Sequence, residues 1–494
     1  MQLENSFTMR KEGFVCSVIY GLLSMSPLVA DGQTSASKEL QLATPYRSKG
    51  WGNVLWKGGL IRTKGVDGQR TGSHYMKLEP GTGSLLRMDF VNGLTIGPEV
   101  TLGYVTENQS RWELLANVEY AASRHAWMGE GALRYILPPS EDSWVELFGG
   151  RRTTDYDPEP LLSRSQRDVA AGLFAWNGGK LYEAMRIGLK ARRWMSRDWA
   201  IEGAFWYEGR YEMANHRHTS FFGKRPSSNV PHCHLYDAAQ YFPYNVYGSG
   251  YSYSSSLEYD NADFYAEGNW QQIPLLHWQE DHLWRADLTL EYTPHRVLVV
   301  ADDLHAEGKS TAPTMRLKLK TAWDNGDGQW GGTPADYTPL ESVESDLGLR
   351  YLCADFSIEQ RIGRKKYNVA YFASAGFFNG GENVGLQDRR HFNASHFPWI
   401  DSMESSLTWF ALLTNYEASA RRDWIEAHGE YMRRYFSGDI GQYVQLHFLA
   451  NDFATHLEAS YGWQLDKSMR VGLSVGFDDA MEYDGIGLNL SIVP

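Results

Sequence analysis

The strongest constraint in this sequence is a period of two that runs from about residue 94 to the C-terminus. Between 94 and 104, Leu94, Ile96, Pro98, Val100, Leu102 and Tyr104 alternate with Thr95, Gly97, Glu99, Thr101 and Gly103. Trp112, Leu114, Ala116, Val118 and Tyr120 repeat the pattern, as do Met315, Leu317, Leu319 and Trp323 against Arg316, Lys318 and Lys320. Near the C-terminus, Val471, Leu473, Val475 and Phe477 alternate with Gly472, Ser474 and Gly476. Alternation puts successive side chains on opposite faces of a strand. The alternating runs last about 9–15 residues, whereas strands of globular proteins average about 5–6. Aromatic residues sit near the run ends, as in Trp112/Tyr120, Trp199/Tyr211 and Tyr461/Trp463. Long alternating strands with aromatic ends are the signature of an all-β, transmembrane antiparallel β-barrel, with lipid on one face and a polar lumen on the other.

Composition removes the competing classes. The 494 residues include 21 Phe, 18 Trp, 29 Tyr and 48 Gly, but only 3 Cys. Disordered chains lack that aromatic content, and disulfide scaffolds need more cysteine. A net charge of −13 leaves no basic field for nucleic acid. Residues 13–30 are the only long charge-free apolar stretch, preceded by Arg10 and Lys11. This reads as an export signal with Met9 as an alternative start. The expected division is an export signal over 1–32, an N-terminal periplasmic segment over 33–82 and the barrel over 83–494. Cys233 and Cys353 are read as free thiols.

Strands are expected at 84–91, 94–105, 111–121, 127–136, 142–150, 180–193, 197–213, 248–259, 282–294, 314–324, 346–359, 364–378, 406–416, 421–435, 442–450, 455–465, 468–478 and 485–493. Segment 262–270 is a possible addition, and the expected total is about 14–18, with 16 as the single figure because bacterial barrels favour even numbers. Long connections at 152–179, 214–247, 325–345 and 379–405 contrast with tight links at 360–363, 417–420 and 466–467. Assigning these alternately to two membrane faces fails, so loop orientation stays open.

Several blocks carry a family resemblance: NVLWKGG (53–59), DFVNGLTIGP (89–98), KLYEAMRIG (180–188), WYEGRYEMAN (206–215), TAPTMRLKL (311–319), GFFNGG (376–381), DRRHFNAS (388–395) and WIEAHGEYMRRYFSG (424–438). Together they resemble a Bacteroidota outer-membrane β-barrel family of unknown function, whose larger members carry the barrel behind a carboxypeptidase-regulatory-like domain. DRRHFNAS and EAHGEY are the strongest blocks. The resemblance implies an outer-membrane barrel and no peptidase, since the regulatory-like domain is a non-catalytic sandwich. That upstream domain is not expected here, and the His-rich 214–247 connection looks peculiar to this chain.

Candidate sites follow from the rows. His216, His218, His232 and His234 are the most metal-like set, because imidazole suits zinc or copper. No fixed spacing joins the two pairs and no H-E-x-x-H accompanies them, so a solvated polar loop is preferred and no cofactor is expected. Glu426, His428 and Glu430 share one strand face and could move protons. A lumen row paired with basic residues such as Arg316, Lys318 and Lys320, or Arg186 and Lys190, is preferred. Glu202, Glu208 and Arg210 form a further lumen row. Asp388, Arg389, Arg390, His391 and Asn393 lie in a long connection, where Arg–carboxylate contacts would pin the loop inside the barrel.

No nucleophile elbow, P-loop or dinucleotide fingerprint is present in a fitting context. The favoured role is structural, assembly or partner docking, the partners being the lipid bilayer and envelope proteins. A channel for small polar solutes is the alternative and an outer-membrane enzyme the third reading. A 22-stranded plugged transporter does not fit the length.

Overall fold

The computed structural model describes residues 59–492 except 63–72, 79–85, 107, 109, 139–141, 159–161, 163, 176–179, 212, 214, 216–279, 297, 302–303, 308–311, 325–348, 365, 381–383, 385, 395–404, 414–418, 436–439, 453, 467 and 478–482. The export-signal stretch, the strands expected at 248–259 and 262–270, Cys233 and the four histidines His216, His218, His232 and His234 lie outside the described residues.

The chain forms β1 (Gly59–Arg62), β2 (Ser73–Leu78), β3 (Leu86–Asp89), β4 (Gly93–Ile96), β5 (Glu99–Val105), β6 (Arg111–Ala121), β7 (Ala126–Ile136) and β8 (Trp144–Asp155). A helix α1 (Arg164–Phe174) follows, then β9 (Leu181–Trp194), β10 (Trp199–Tyr211), β11 (Glu280–Tyr292) and a small separate hairpin, β12 (Leu298–Ala301) with β13 (Leu304–Glu307). The wall continues with β14 (Thr314–Asp324), β15 (Leu349–Gly363), β16 (Tyr367–Asn379), β17 (Asp423–Tyr435), β18 (Ile440–Asn451), β19 (Thr455–Gln464), β20 (Met469–Phe477) and β21 (Tyr483–Ile492). All strands but β12 and β13 belong to one 19-stranded sheet whose pairings are antiparallel between neighbours. β1, β3 and β21 each pair on one side only, and no pairing joins β1 or β3 to β21 among the described residues.

Two expectations change at the N-terminal side. Gly97 and Pro98 divide the strand expected at 94–105 into β4 and β5. Proline has no N–H for the ladder, and a side chain on Gly97 would meet the Val118 carbonyl at 2.0 Å. Counted as one bent strand, β4 and β5 reduce the nineteen to about eighteen, within the range that period-two reading allows but above the single figure of 16. The second change concerns the 33–82 segment, since β1 and β2 extend the sheet through β2–β5 pairing from Ser73↔Val105 to Leu78↔Val100. The wall therefore starts before residue 83.

The described part of the strand expected at 406–416, residues 406–413, is not a strand. It holds a short 3-10 turn, Ser405–Thr408, and one isolated bridge between Ala394 and Phe410. Leu407, Trp409 and Phe410 are all buried, and adjacent buried side chains cannot share one face of a strand.

Without that segment the connections sort themselves. At one end lie 106–110, 137–143, 195–198, 293–313, 364–366, 436–439 and 465–468. At the other lie 122–125, 156–180, 212–279, 325–348, 380–422, 452–454 and 478–482. Four long connections thus share one end, here the loop end, and the opposite, turn end carries short links plus the 293–313 connection with its hairpin. β10 and β11 pair directly from Trp199↔Tyr292 to Tyr211↔Glu280, so no wall strand comes between them.

The sheet is inside-out relative to a soluble protein. Leu488 is 72% exposed while its neighbour Asn489 is 3% exposed. Ile187, Phe205, Ile425, Leu446 and Leu473 are exposed, whereas Glu146, Glu208, Arg210, Glu426, Glu458 and Arg470 are buried. Aromatic pairs mark both rims: Trp112–Tyr135 at 4.6 Å and Trp199–Tyr292 at 4.5 Å near the turn end, Tyr120–Trp127 at 5.1 Å and Tyr207–Trp284 at 5.3 Å toward the loop end. Eight residues separate Trp112 from Tyr120, roughly 26 Å of strand, close to the ~25 Å apolar band of a membrane barrel before tilt. No described helix is long and apolar enough to cross a membrane; the exposed apolar surface lies on the strands.

Leu473, 55% exposed at the centre of β20, tests this outer face. Leu473→Arg should lower folding stability in lipid vesicles by about 2–4 kcal/mol, and Leu465→Arg, in the turn after β19, by about 0–1 kcal/mol. Urea titration of both variants checks it; equal and negligible costs would mean that the outer face meets water.

Candidate functional site

Alternation delivers a charged row to the inner face of nearly every central strand. β10 contributes Glu202, Glu208 and Arg210; β11 contributes Arg285, Asp287 and Glu291; β14 contributes Arg316, Lys318 and Lys320; β17 contributes Glu426, His428 and Glu430. Charges removed from water need partners close by, and much of that partnership comes from the 380–422 connection, which folds back against the inner face.

The first anchor is Asp388, in a 3-10 turn (Leu386–Asp388). Arg210 donates from both terminal nitrogens to its two oxygens, each at 2.7 Å. Arg285 approaches the same carboxylate at 3.1 Å and also reaches Glu208 at 2.9 Å. Arg186 closes the group on Glu208 at 2.7 Å, and the Tyr182 hydroxyl donates to Glu208 at 3.2 Å. Arg210 and Glu208 are both 0% exposed, so this network has no bulk-water alternative. Burial by itself would raise the Asp388 carboxyl, but the Arg210 and Arg285 guanidiniums overrule it and hold it at about 2.

Farther along the connection, Arg390 pairs with Glu426 at 2.6 Å, and the Ser374 hydroxyl donates to the same carboxylate at 2.6 Å. The Arg390 backbone exchanges hydrogen bonds with Ala420, at 3.0 and 2.9 Å, tying the two limbs of the loop together. His391 Nδ1 lies 2.7 Å from the Ser419 hydroxyl, and Asn393 donates to Thr408 at 2.7 Å. Arg389 is buried beside them. Near the turn end, Arg470 donates to the Ser406 hydroxyl at 2.7 Å and pairs with Glu430 at 2.6 Å. Gln445 donates to the Ser406 carbonyl at 3.2 Å and to Glu430 at 2.8 Å.

Apolar packing reinforces the polar anchors. Val384, Phe392, Ala394, Phe410 and Ala420 of the loop share a buried cluster with Leu283, Tyr351, Phe378, Trp424 and Leu449 of the wall. Phe410 sits among three histidines, its ring 4.9 Å from His428, 5.7 Å from His447 and 5.8 Å from His456. The next two backbone N–H groups, of Ala411 and Leu412, donate to the Glu458 carboxylate at 3.2 and 3.1 Å.

The remaining candidates lie apart from this loop. Glu202 pairs with Arg192 at 3.1 Å, and Arg316 bridges Glu291 at 3.1 Å and Glu359 at 2.7 Å. Lys318 stands in register with Thr289 and Asp355, and Lys320 with Asp287 and Cys353. The basic partners of the Glu426 row are thus Arg390 and Arg470, not the β14 row or Lys190, while Arg186 serves Glu208. Sequence reasoning missed Arg285, Arg470, His447, His456 and Glu458, although each occupies the polar half of an alternating strand. Ser406 and Phe410 were hidden by the strand expected at 406–416. Among the described residues no group of three or more His, Cys, Asp or Glu is arranged to hold a metal ion. Cys353 is a buried free thiol.

No curated protein matches the chain. Among solved structures, BamA from Haemophilus ducreyi lacking POTRA domains 1–3 is similar at a TM-score of 0.37 and 9% identity, over 88% of this chain and 69% of that one. CdiB from Escherichia coli gives 0.34 and 8%, over 82% and 60%. A porin from Rhodopseudomonas blastica gives 0.26 and 8%, over 80% and 89%. The sequence itself matches a family model over residues 65–269 and 254–457, most of its length. The chain belongs to the family of unknown function DUF5686, to whose C-terminal domain these residues correspond.

Proposed function

We propose that this chain is an outer-membrane β-barrel protein whose interior is occupied by its own 380–422 loop, and that it serves a structural, assembly or partner-docking role in the cell envelope. The observation that carries this reading is the depth of the loop. It is held at Arg210, one residue from the loop-end limit of β10, and at Arg470, one residue from the turn-end limit of β20. A segment held near the loop end by a buried ion pair, and near the turn end by a hydrogen bond from a buried arginine to Ser406, is built to stay, because removing one partner of a buried ion pair costs about 3–5 kcal/mol. Barrels of this kind carry longer connections outside the cell and shorter ones in the periplasm, which orients the loop end outward. The blocks that resemble a Bacteroidota family support the outer membrane of such a cell as the setting. Envelope proteins docking on the long connections are the proposed partners.

A channel for small polar solutes is the second reading. It is favoured by one feature, a partly wet inner row in which the Arg134, Arg152 and Glu202 side chains remain 30%, 34% and 39% exposed. We assign no catalytic role to Glu426 or His428. Arg390 and Ser374 engage Glu426, and His447 engages His428 at 2.9 Å. Activity loss in Glu426→Gln with the loop still docked would reverse that assignment.

Planar-bilayer recording separates the first two readings. The refolded protein should carry no steady current, and replacing residues 383–419 by a short Gly-Ser linker should create an ohmic one. A steady current in the intact protein that changes when Arg134 and Glu202 are neutralised would establish the channel instead.

Asp388 supplies a second test. Its carboxyl is held at about 2 in the folded protein, against about 3.9 in an unfolded chain. A depressed carboxylate stabilises the fold above the unfolded value and loses that contribution as pH falls through the folded one. The pH-dependent part of the cost of Asp388→Asn should therefore be about 2 kcal/mol at pH 7, and the gap to wild type should shrink by that amount between about pH 4 and pH 2. Urea titration across that interval measures it, and a constant gap would disprove the assignment.

A further inference from the structure

We propose that the turn-end rim of β15–β17 binds an anionic phospholipid, its phosphate held by Arg364, Lys366 and Arg433 and an acyl chain lying on the outer face beneath them. The inference rests on the outer-membrane reading and names a ligand for one sector of that surface. The chain carries a net charge of −13, yet segments 360–371 and 431–438 together hold six Lys or Arg and no Asp or Glu. Strand pairing brings the two segments side by side. Tyr367 stands opposite Arg433, and the Arg434 N–H donates to the Lys366 carbonyl at 2.9 Å. Arg364, Lys366 and Arg433 are exposed and form no ion pair among the described residues. The arginines of the interior behave oppositely: Arg210, Arg285 and Arg470 are each closed on a carboxylate. Three cations left open at one rim attract an anion from outside the chain.

The surface below them decides which anion. Tyr367 and Tyr431 are 41% and 49% exposed with their rings stacked at 6.4 Å, and the Arg433 guanidinium lies 5.3 Å over the Tyr435 ring. Deeper on the same outer face, Gly429 and Ala427 of β17 stand opposite Tyr371 and Ala373 of β16. The Tyr371 hydroxyl donates to Gln360 of β15 at 2.9 Å, which leans that ring away from β17. A side chain added at Gly429 would meet no atom within 4 Å. A low apolar strip therefore continues from the tyrosines toward the middle of the wall. Cation, tyrosine and apolar strip follow the order of phosphate, glycerol ester and acyl chain in one lipid molecule. A soluble acidic peptide would use the cations alone and leave the rest uncovered. With the loop end outward, the phosphates of lipopolysaccharide belong to the opposite leaflet.

The test uses the full chain refolded into phosphatidylcholine vesicles, with Cys16→Ser and Cys233→Ser, Cys353 being buried, and a bimane attached after folding at Leu446→Cys. Leu446 is exposed opposite Gly429, beside the strip and roughly 13 Å along the strand from Arg433. Phosphatidylglycerol or phosphatidylcholine carrying a doxyl group in the upper half of the acyl chain is added at rising mole fraction, and quenching gives their relative affinity at this spot. Phosphatidylglycerol should be preferred at least about fivefold at low ionic strength, the contribution of one cation near an anionic surface. The preference should fall to about one in Arg364→Gln/Lys366→Gln/Arg433→Gln, whereas Arg193→Gln, at the rim of β9, should leave it unchanged. No preference in the intact chain, or a preference that survives the triple variant, overturns the site. Lipid A displacing the labelled phosphatidylglycerol better, phosphate for phosphate, than the unlabelled lipid does would also overturn it. Absence of quenching by either lipid would remove the site and the outer-membrane reading together.

Discussion

The interior of this protein depends on how its buried carboxylates are neutralised. Alternation forces every second residue of each strand away from the outer surface, and in β10 that places Glu208 and Arg210 where no bulk water reaches. Within the sheet, Arg186 and Arg285 leave the local balance positive around Glu208. Asp388, from a connection 178 residues farther along the chain, restores it through two bonds from one guanidinium. The loop is therefore part of the electrostatics of the wall, and the wall cannot bury these arginines comfortably without it.

Charge alone would leave the loop's position loosely defined. Registration comes from packing: Phe392, Phe410 and Ala420 share an apolar cluster with Phe378, Trp424 and Leu449. In an inside-out sheet, such a cluster on the inner face marks where protein replaces water. It lies on β11 and β14–β18, the strands whose inner rows hold aromatic and aliphatic residues near the loop end. Across β7 to β10, Arg134, Arg192 and Glu202 toward the turn end and Arg152 toward the loop end pair among themselves and with neighbours. The two halves thus use different solutions, a packed one and a partly hydrated one.

The wall was largely legible in the sequence because period two is a local property. Strands β6, β7, β9, β11 and β14–β21 fall within a few residues of where alternation places them. What local pattern misses is context. Residues 406–416 read as a strand because they are apolar, yet Trp409 and Phe410 face the interior, so hydrophobicity there signals the loop core. Counting that stretch as a membrane crossing also hid the sorting of long connections to one end. α1 was missed because its pairing partners are tertiary: it packs on β3, with Gly172 against Met88, and Arg167 pairs with Asp155. Of the site, the rows Glu426/His428/Glu430 and Glu208/Arg210 could be read from spacing. Which arginine meets which carboxylate depends on strands and loops far apart in sequence, and spacing carries no such information.

The inner rows of β19 to β21 explain why the loop lies against that quadrant. They hold Ser460, Gly462, Gly472, Ser474, Gly487 and Asn489, with Glu458 and Arg470 as their long charged side chains. At Gly487 an added Cβ would meet Leu412 of the loop at 2.7 Å. Gly462 and Gly472 leave room for the Tyr443 ring, whose hydroxyl would be 2.9 and 2.6 Å from a Cβ at those positions, and Arg470 stacks on Tyr443 at 5.1 Å. Small residues thus bring the loop close enough for Arg470 and Glu458 to reach its backbone and Ser406. At the loop ends of β10 and β11 the same loop meets the wall by charge instead, through Asp388 on Arg210 and Arg285. Small residues on β19 to β21 and paired charges on β10 and β11 together turn a long connection into a fixed interior segment.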